Sequence, residues 1–122
     1  MSKKEPFLIN RLKSVGYAFK GALFLIRTES SIKIQVVIAI AVTIAGIYFD
    51  ISKTEWIAQT ICVGLIMSIE GMNTAVEYMS DFVHPDRHET IGRIKDIAAG
   101  AVFIAAICAV IVAMFIYFPK LF

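Results

Sequence analysis

Charge, cysteine and glycine-rich loops are all scarce in this chain. Charged residues occupy 18% of its 122 positions and leave a net charge of only +2, which excludes a broad nucleic-acid-binding surface. The two cysteines, Cys62 and Cys108, lie in apolar runs without CxxC or Cys/His spacing; both read as small packing residues rather than zinc ligands or a redox pair. No Walker-type glycine loop is present, so a nucleotide would have to be held without the soluble P-loop fold. The N-terminal stretch up to Glu29 has no continuous apolar segment with a cleavage site, because Arg11, Lys13 and Lys20 interrupt it, and a signal peptide is not expected. Internal repeats and low-complexity tracts are also lacking, and the whole chain, 1–122, reads as a single domain.

What the chain has in abundance is hydrocarbon. Hydrophobic residues make up 58% of it, with a mean hydropathy of +0.75, more than a domain of this length can cover with its own core. These residues are gathered into runs long enough to cross a bilayer. The expected fold is an all-α membrane protein: an N-terminal amphipathic interfacial helix over about 5–28, then three transmembrane helices over about 32–49, 56–83 and 97–118. In the first helix Leu8, Leu12, Val15, Phe19, Ala22, Leu23 and Ile26 recur at helical spacing, with Arg11, Lys13 and Lys20 between them. Ser52 followed by Glu55 is a capping-box pattern that starts the second span, and His84-Pro85 ends it. The polar stretch from His84 to Lys95 is expected as a connector. Tyr48, Trp56 and Tyr117 are expected as interface anchors, and Ala98, Ala99, Gly100 and Ala101 as a close helix-packing surface.

Orientation follows from the cations. Lys3, Lys4, Arg11, Lys13, Lys20, Arg27 and Lys33 cluster before the first span, and Arg87, Arg93 and Lys95 in the second connector. Only Lys53 and Lys120 fall on the other side, so the N-terminus and the connector are expected in the cytoplasm, where ATP is found.

Glu70, Asn73, Glu77 and Asp81 are separated by three, four and four residues, which stacks them on one helix face. An ionisable group near hydrocarbon costs about 2.5–3.5 kcal/mol by insertion scales, so such a stripe belongs in a bundle interior or a wet cavity. Water-satisfied interfacial side chains are the bland alternative, and four polar groups in register speak against it. Glu29 and the pair Lys95-Asp96 are expected at the same cytoplasmic level as Glu77 and Asp81. Two carboxylates from different segments can hold Mg²⁺ against nucleotide phosphates, and a lysine beside them can balance phosphate charge. Glu70, the deepest acid, suits the task of orienting or deprotonating a headgroup hydroxyl. This is the chemistry of an ATP-dependent kinase acting on a membrane lipid alcohol. The competing expectations are a small oligomeric ion or proton transporter or channel subunit, with the Glu70 stripe lining its path, and a non-enzymatic assembly factor.

The run Glu70-Gly71-Met72-Asn73-Thr74-Ala75-Val76-Glu77-Tyr78-Met79-Ser80-Asp81, followed by His88 and by Lys95-Asp96-Ile97-Ala98-Ala99-Gly100-Ala101-Val102, resembles the signature of the prokaryotic diacylglycerol kinase and undecaprenol kinase family. Gly16-Tyr17-Ala18-Phe19-Lys20-Gly21 and Glu29 also occur in order, so the resemblance covers nearly the whole chain. It implies a homotrimer of three-span subunits in the bacterial cytoplasmic membrane, with active sites at subunit boundaries, using MgATP to phosphorylate diacylglycerol or undecaprenol. It further implies Glu70 as catalytic base, with Asn73 and Gln35 beside the acceptor. Glu29 and Glu77 become the metal-binding carboxylates, and Tyr17, Asp86, Arg87, His88, Lys95 and Asp96 nucleotide contacts. Two positions depart from the family pattern. Asn10, next to Arg11, stands where an arginine is frequent, and Gln35 stands where diacylglycerol kinases often have glutamate and undecaprenol kinases histidine. The Ala98 to Val102 run is closer to the undecaprenol kinase branch.

Overall fold

The structure, a computed structural model, describes residues 6–86 and 88–122; Arg87, implied above as a nucleotide contact, lies outside the described residues. Four helices follow one another: α1 (Phe7–Thr28), α2 (Ser30–Tyr48), α3 (Lys53–Val83) and α4 (Glu89–Leu121), with no strand among the described residues.

The first helix buries none of its residues, and Phe7 and Phe19 stay 77% and 65% exposed, as suits a helix lying along an apolar boundary. A single residue, Glu29, separates it from α2. Glu29 is extended, yet its N–H still donates to the Leu25 carbonyl (3.0 Å) and its own carbonyl accepts from Lys33 (3.0 Å), so the corner costs few hydrogen bonds. The end of α1 docks on α3. Leu25 sits so close to Gly71 that a Cβ there would come within 2.9 Å of its Cδ1, and the Phe24 ring meets Tyr78 edge-on at 6.2 Å.

The α2–α3 corner is closed by local chemistry. Asp50 takes the left-handed conformation (φ 51), while Ile51 N–H bonds to Gly46 O (3.1 Å) and Asp50 N–H to Ile47 O (3.2 Å), a Schellman arrangement. Gly46 is required there, because a Cβ would lie 2.6 Å from Cη2 of Trp56. The expected capping box forms: Glu55 N–H donates to Ser52 Oγ (3.2 Å) and Ser52 N–H to Glu55 Oε1 (2.9 Å). Lys120 at the end of α4 then donates to both Glu55 oxygens, at 3.1 and 3.0 Å.

The Ser52 amide, and after it the Lys120 ammonium, hold the Glu55 carboxyl below the usual carboxylate range. With a lowered folded-state value, the stabilisation is complete above the ordinary carboxylate pKa and is lost as pH falls through the lowered one. The melting temperature in detergent is therefore expected to drop as pH falls below the ordinary carboxylate pKa, and Glu55→Gln should lower it at neutral pH and flatten that drop. An acid profile identical in the two proteins would count against the cap and its ion pair.

The main interface is between α3 and α4. Gln59, Ile66, Glu70 and Thr74 form its buried α3 stripe, and Ala105 and Ile116 are buried on α4. Gln59 Nε2 donates to Val42 O (3.0 Å) while the Tyr117 hydroxyl donates to Gln59 Oε1 (2.5 Å), tying α2, α3 and α4 together. Tyr117 thus turns inward instead of anchoring at the interface, because a buried amide in apolar surroundings needs a partner. Trp56 likewise packs on Gly46, whereas Tyr48 is 81% exposed as expected of an anchor.

The start of α4 differs from expectation. Only 84–88 connects the helices; Glu89 to Lys95 already forms the first turns of α4, capped by the His88 side chain accepting from Thr90 N–H (3.1 Å) and braced by Arg93 on Glu89 (3.5 Å). Polarity there marks solvent, not loss of helix. A Cβ added at Gly100 would meet nothing within 4 Å in one copy of the chain, so the small-residue run is not packed against a neighbouring helix at that point.

Among the described residues two helices, α2 and α4, are long and apolar enough to cross a membrane. The buried hydrophobic side chains are few, namely Ile32, Ile51, Ile66, Ala105 and Ile116, while Ile47, Phe103 and Phe115 are 69%, 67% and 77% exposed. Such a surface calls for lipid or further copies to cover it.

Candidate functional site

The acidic stripe lies on the second half of α3, in the register its spacing demands. Glu70 is buried (8% exposed) and Thr74 Oγ1 donates to its backbone carbonyl (3.2 Å), which leaves the carboxylate itself uncommitted. One turn on, Asn73 Nδ2 donates to Glu77 Oε1 (3.2 Å). The other end of that amide, Asn73 Oδ1, is buried without a hydrogen-bond partner among the described residues. A further turn on, Asp81 accepts from Lys95 Nζ of α4 at 2.5 Å in an exposed ion pair.

The α1–α2 corner brings in the other carboxylate. Glu29 Oε1 accepts from the Tyr78 hydroxyl (3.1 Å), and that hydroxyl lies in the field of both Glu29 and Glu77. Tyr78 is a site residue that the acid spacing did not reveal. It sits one position off the stripe, and only the docking of α1 through Phe24 and Leu25 gives it a partner. Glu29, Glu77 and Lys95 therefore gather at the same end of α3.

Gln35 can be placed by rungs. Glu29–Tyr78 and Val42–Gln59 contacts fix the antiparallel register of α2 and α3, and six residues beyond Glu29 at about 1.5 Å each put Gln35 near the level of Glu70. At the start of α4, His88 acts as cap, the His84 ring stands 4.9 Å from it, and His84 Nδ1 contacts the Asp86 carbonyl at 2.7 Å. Asp96 is exposed beside Lys95. Tyr17 is not drawn in: it is 61% exposed on α1, with the Lys20 ammonium 5.9 Å over its ring.

Among the described residues no three His, Cys, Asp or Glu side chains come together as a metal site. The donor set is two carboxylates and the unpartnered Asn73 Oδ1, all hard oxygens. This fits Mg²⁺, which takes one or two carboxylates and leaves its other positions to phosphate and water. It does not fit a metal needing a full protein cage. The patch is rich in acceptors, with Lys95 at its edge and the buried Glu70 about two turns nearer the middle of α3.

Comparison with known proteins agrees with this chemistry. Residues 16–117 match the family described as prokaryotic diacylglycerol kinase. The undecaprenol kinase of Bacillus subtilis (strain 168) is 34% identical over 121 residues, covering 98% of both chains. The diacylglycerol kinase of Escherichia coli (strain K12) is 30% identical over 100 residues, covering 82% of both. That of a Synechocystis species is 36% identical over 115 residues, 92% of this chain and 65% of the other. All three are kinases, and the transporter reading has no counterpart among them.

Proposed function

The chain belongs to the prokaryotic diacylglycerol kinase family and is a lipid kinase drawing phosphate from ATP; on that premise we propose that it phosphorylates undecaprenol at the cytoplasmic face of a bacterial inner membrane, as a homotrimer of three-span subunits. The observation that carries the site is the gathering of Glu29, Glu77 and Lys95 at one end of α3, around a buried amide oxygen that lacks a partner.

Glu29 and Glu77, with Asn73 Oδ1, would hold Mg²⁺, whose contribution when bound is to neutralise nucleotide phosphate charge and join it to the protein. Tyr78 orients the Glu29 carboxylate and Asn73 orients that of Glu77. Lys95 exchanges its exposed partner Asp81 for phosphate. Asp86, Arg87 and His88 from the α3–α4 connection, Asp96 from α4 and Tyr17 from α1 contact the nucleotide. Glu70 takes the proton of the acceptor hydroxyl as that oxygen bonds to the γ-phosphorus and the bond to ADP breaks; Gln35 and Asn73 position the headgroup at the same depth.

Three spans are supported by the Gln59 tie, which holds α3 between the two apolar helices α2 and α4 along its outer half. A trimer is supported by the open small-residue run around Gly100 and the large exposed apolar surface. Undecaprenol is favoured by the Ala98 to Val102 run and by the end-to-end similarity to an undecaprenol kinase. Labelled-phosphate transfer from ATP to undecaprenol and to diacylglycerol, measured side by side in mixed micelles, is expected to show kcat/KM at least about tenfold higher for undecaprenol. The reverse preference would overturn the acceptor.

A further inference from the structure

Where α4 passes the other two spans it is thinned by Ala106, Ala109 and Ala113, whose spacing of three and four sets them on one face. Opposite them stand Cys62 and Ile66 of α3, and the gap between α2, α3 and α4 is an apolar cavity of about 250 Å³. Its walls come from three helices of one copy of the chain, and one side of it is open.

The two ends of the cavity differ. Its outer end is lined by Gln59, whose amide is already bonded to Val42 and Tyr117. Its inner end is at Gln35 and Ile66; Ile66 precedes Glu70 by one turn on the same buried stripe. The Gln35 amide has no hydrogen-bond partner among the described residues. A polar mouth level with the proposed base therefore leads into a half-open, hydrocarbon-lined groove.

We propose that this cavity receives the hydrocarbon chain of the acceptor lipid, with its hydroxyl held at Gln35 and Glu70. The proposal rests on the lipid kinase reading and adds a chain-binding site to it. The lining rules out a nucleotide or an ion, and a half-open apolar groove between membrane helices suits an apolar chain. The occupant must also be joined to a hydroxyl at the mouth, and a single aliphatic or isoprenoid chain meets both conditions. The alanines of α4 then set which chains fit, apart from the groups that transfer phosphate.

The direct test uses the unaltered protein in mixed micelles and a prenol carrying a diazirine a few carbons from its hydroxyl, with the photoproducts mapped by mass spectrometry. Adducts at Cys62, Ala106, Ala109 or Ala113 are expected; adducts confined to outward residues such as Phe103 and Ile104, or none on this chain, would overturn the proposal. Kinetics gives a second readout. Ala109→Phe, which fills the cavity, is expected to raise KM about tenfold for a long prenol and to leave that for a one-isoprene alcohol unchanged, with kcat preserved. Ile104→Phe, on the outer surface, should change neither. Equal effects of Ala109→Phe on both alcohols, or none, would count against chain binding there. If the unaltered protein phosphorylates no lipid alcohol, it is the kinase reading that fails, whereas the adduct map judges the cavity separately.

Discussion

With Glu77 replaced by glutamine, phosphate transfer is expected to fall about a thousandfold, and what remains to need far more Mg²⁺ for half-maximal rate. The substitution is nearly isosteric, and Glu77 is half-buried with its Oε1 accepting from Asn73, a bond that a glutamine carbonyl can keep. Shape and helix are therefore preserved and only the charge is lost. Glu29→Gln should act in the same direction, since the two carboxylates share Tyr78 as a neighbour. Combining both should cost little beyond either alone, because groups that serve one bound ion act as a unit. Tyr78→Phe leaves both charges and frees Glu29 to wander, so a smaller loss, about tenfold, is expected. Titrating Mg²⁺ at saturating ATP is the check. If Glu77→Gln halves the rate with an unchanged Mg²⁺ requirement, the carboxylate pair does not hold the metal.

How much of this was legible in the sequence depends on how far apart the deciding groups lie. The Ser52–Glu55 cap and the stop at His84-Pro85 are contests between near neighbours, and both helix ends fall where the residues put them. The apolar runs of α2 and α4 are legible for the same reason. At Glu89 to Lys95 the pattern misleads, because polar residues fill a loop and the first turns of an emerging helix alike. Tyr117, Gln59 and Tyr78 were opaque: each owes its orientation to a partner 49 to 75 residues away. The cavity was equally hidden, since three alanines on a helix signal close packing as readily as a space left open.

Glu70→Gln is expected to lower kcat by about a thousandfold or more while leaving the Mg²⁺ requirement and nucleotide binding unchanged, which separates it from the Glu77 variant. Glu70 is 8% exposed, and among the described residues its only hydrogen bond from a side chain goes to the backbone carbonyl, from Thr74. A buried carboxylate without a fixed partner is a destabilised group, and a neutral amide of the same shape should suit that depth better. The same substitution should therefore hold or raise the melting temperature in detergent as it removes activity, the trade expected of an acid kept for chemistry. A merely structural Glu70 predicts the opposite pairing, lower stability with phosphate transfer retained in proportion to folded protein. Measured together on one preparation, kcat and melting temperature decide between them: activity within tenfold of the unaltered chain would remove Glu70 from the reaction.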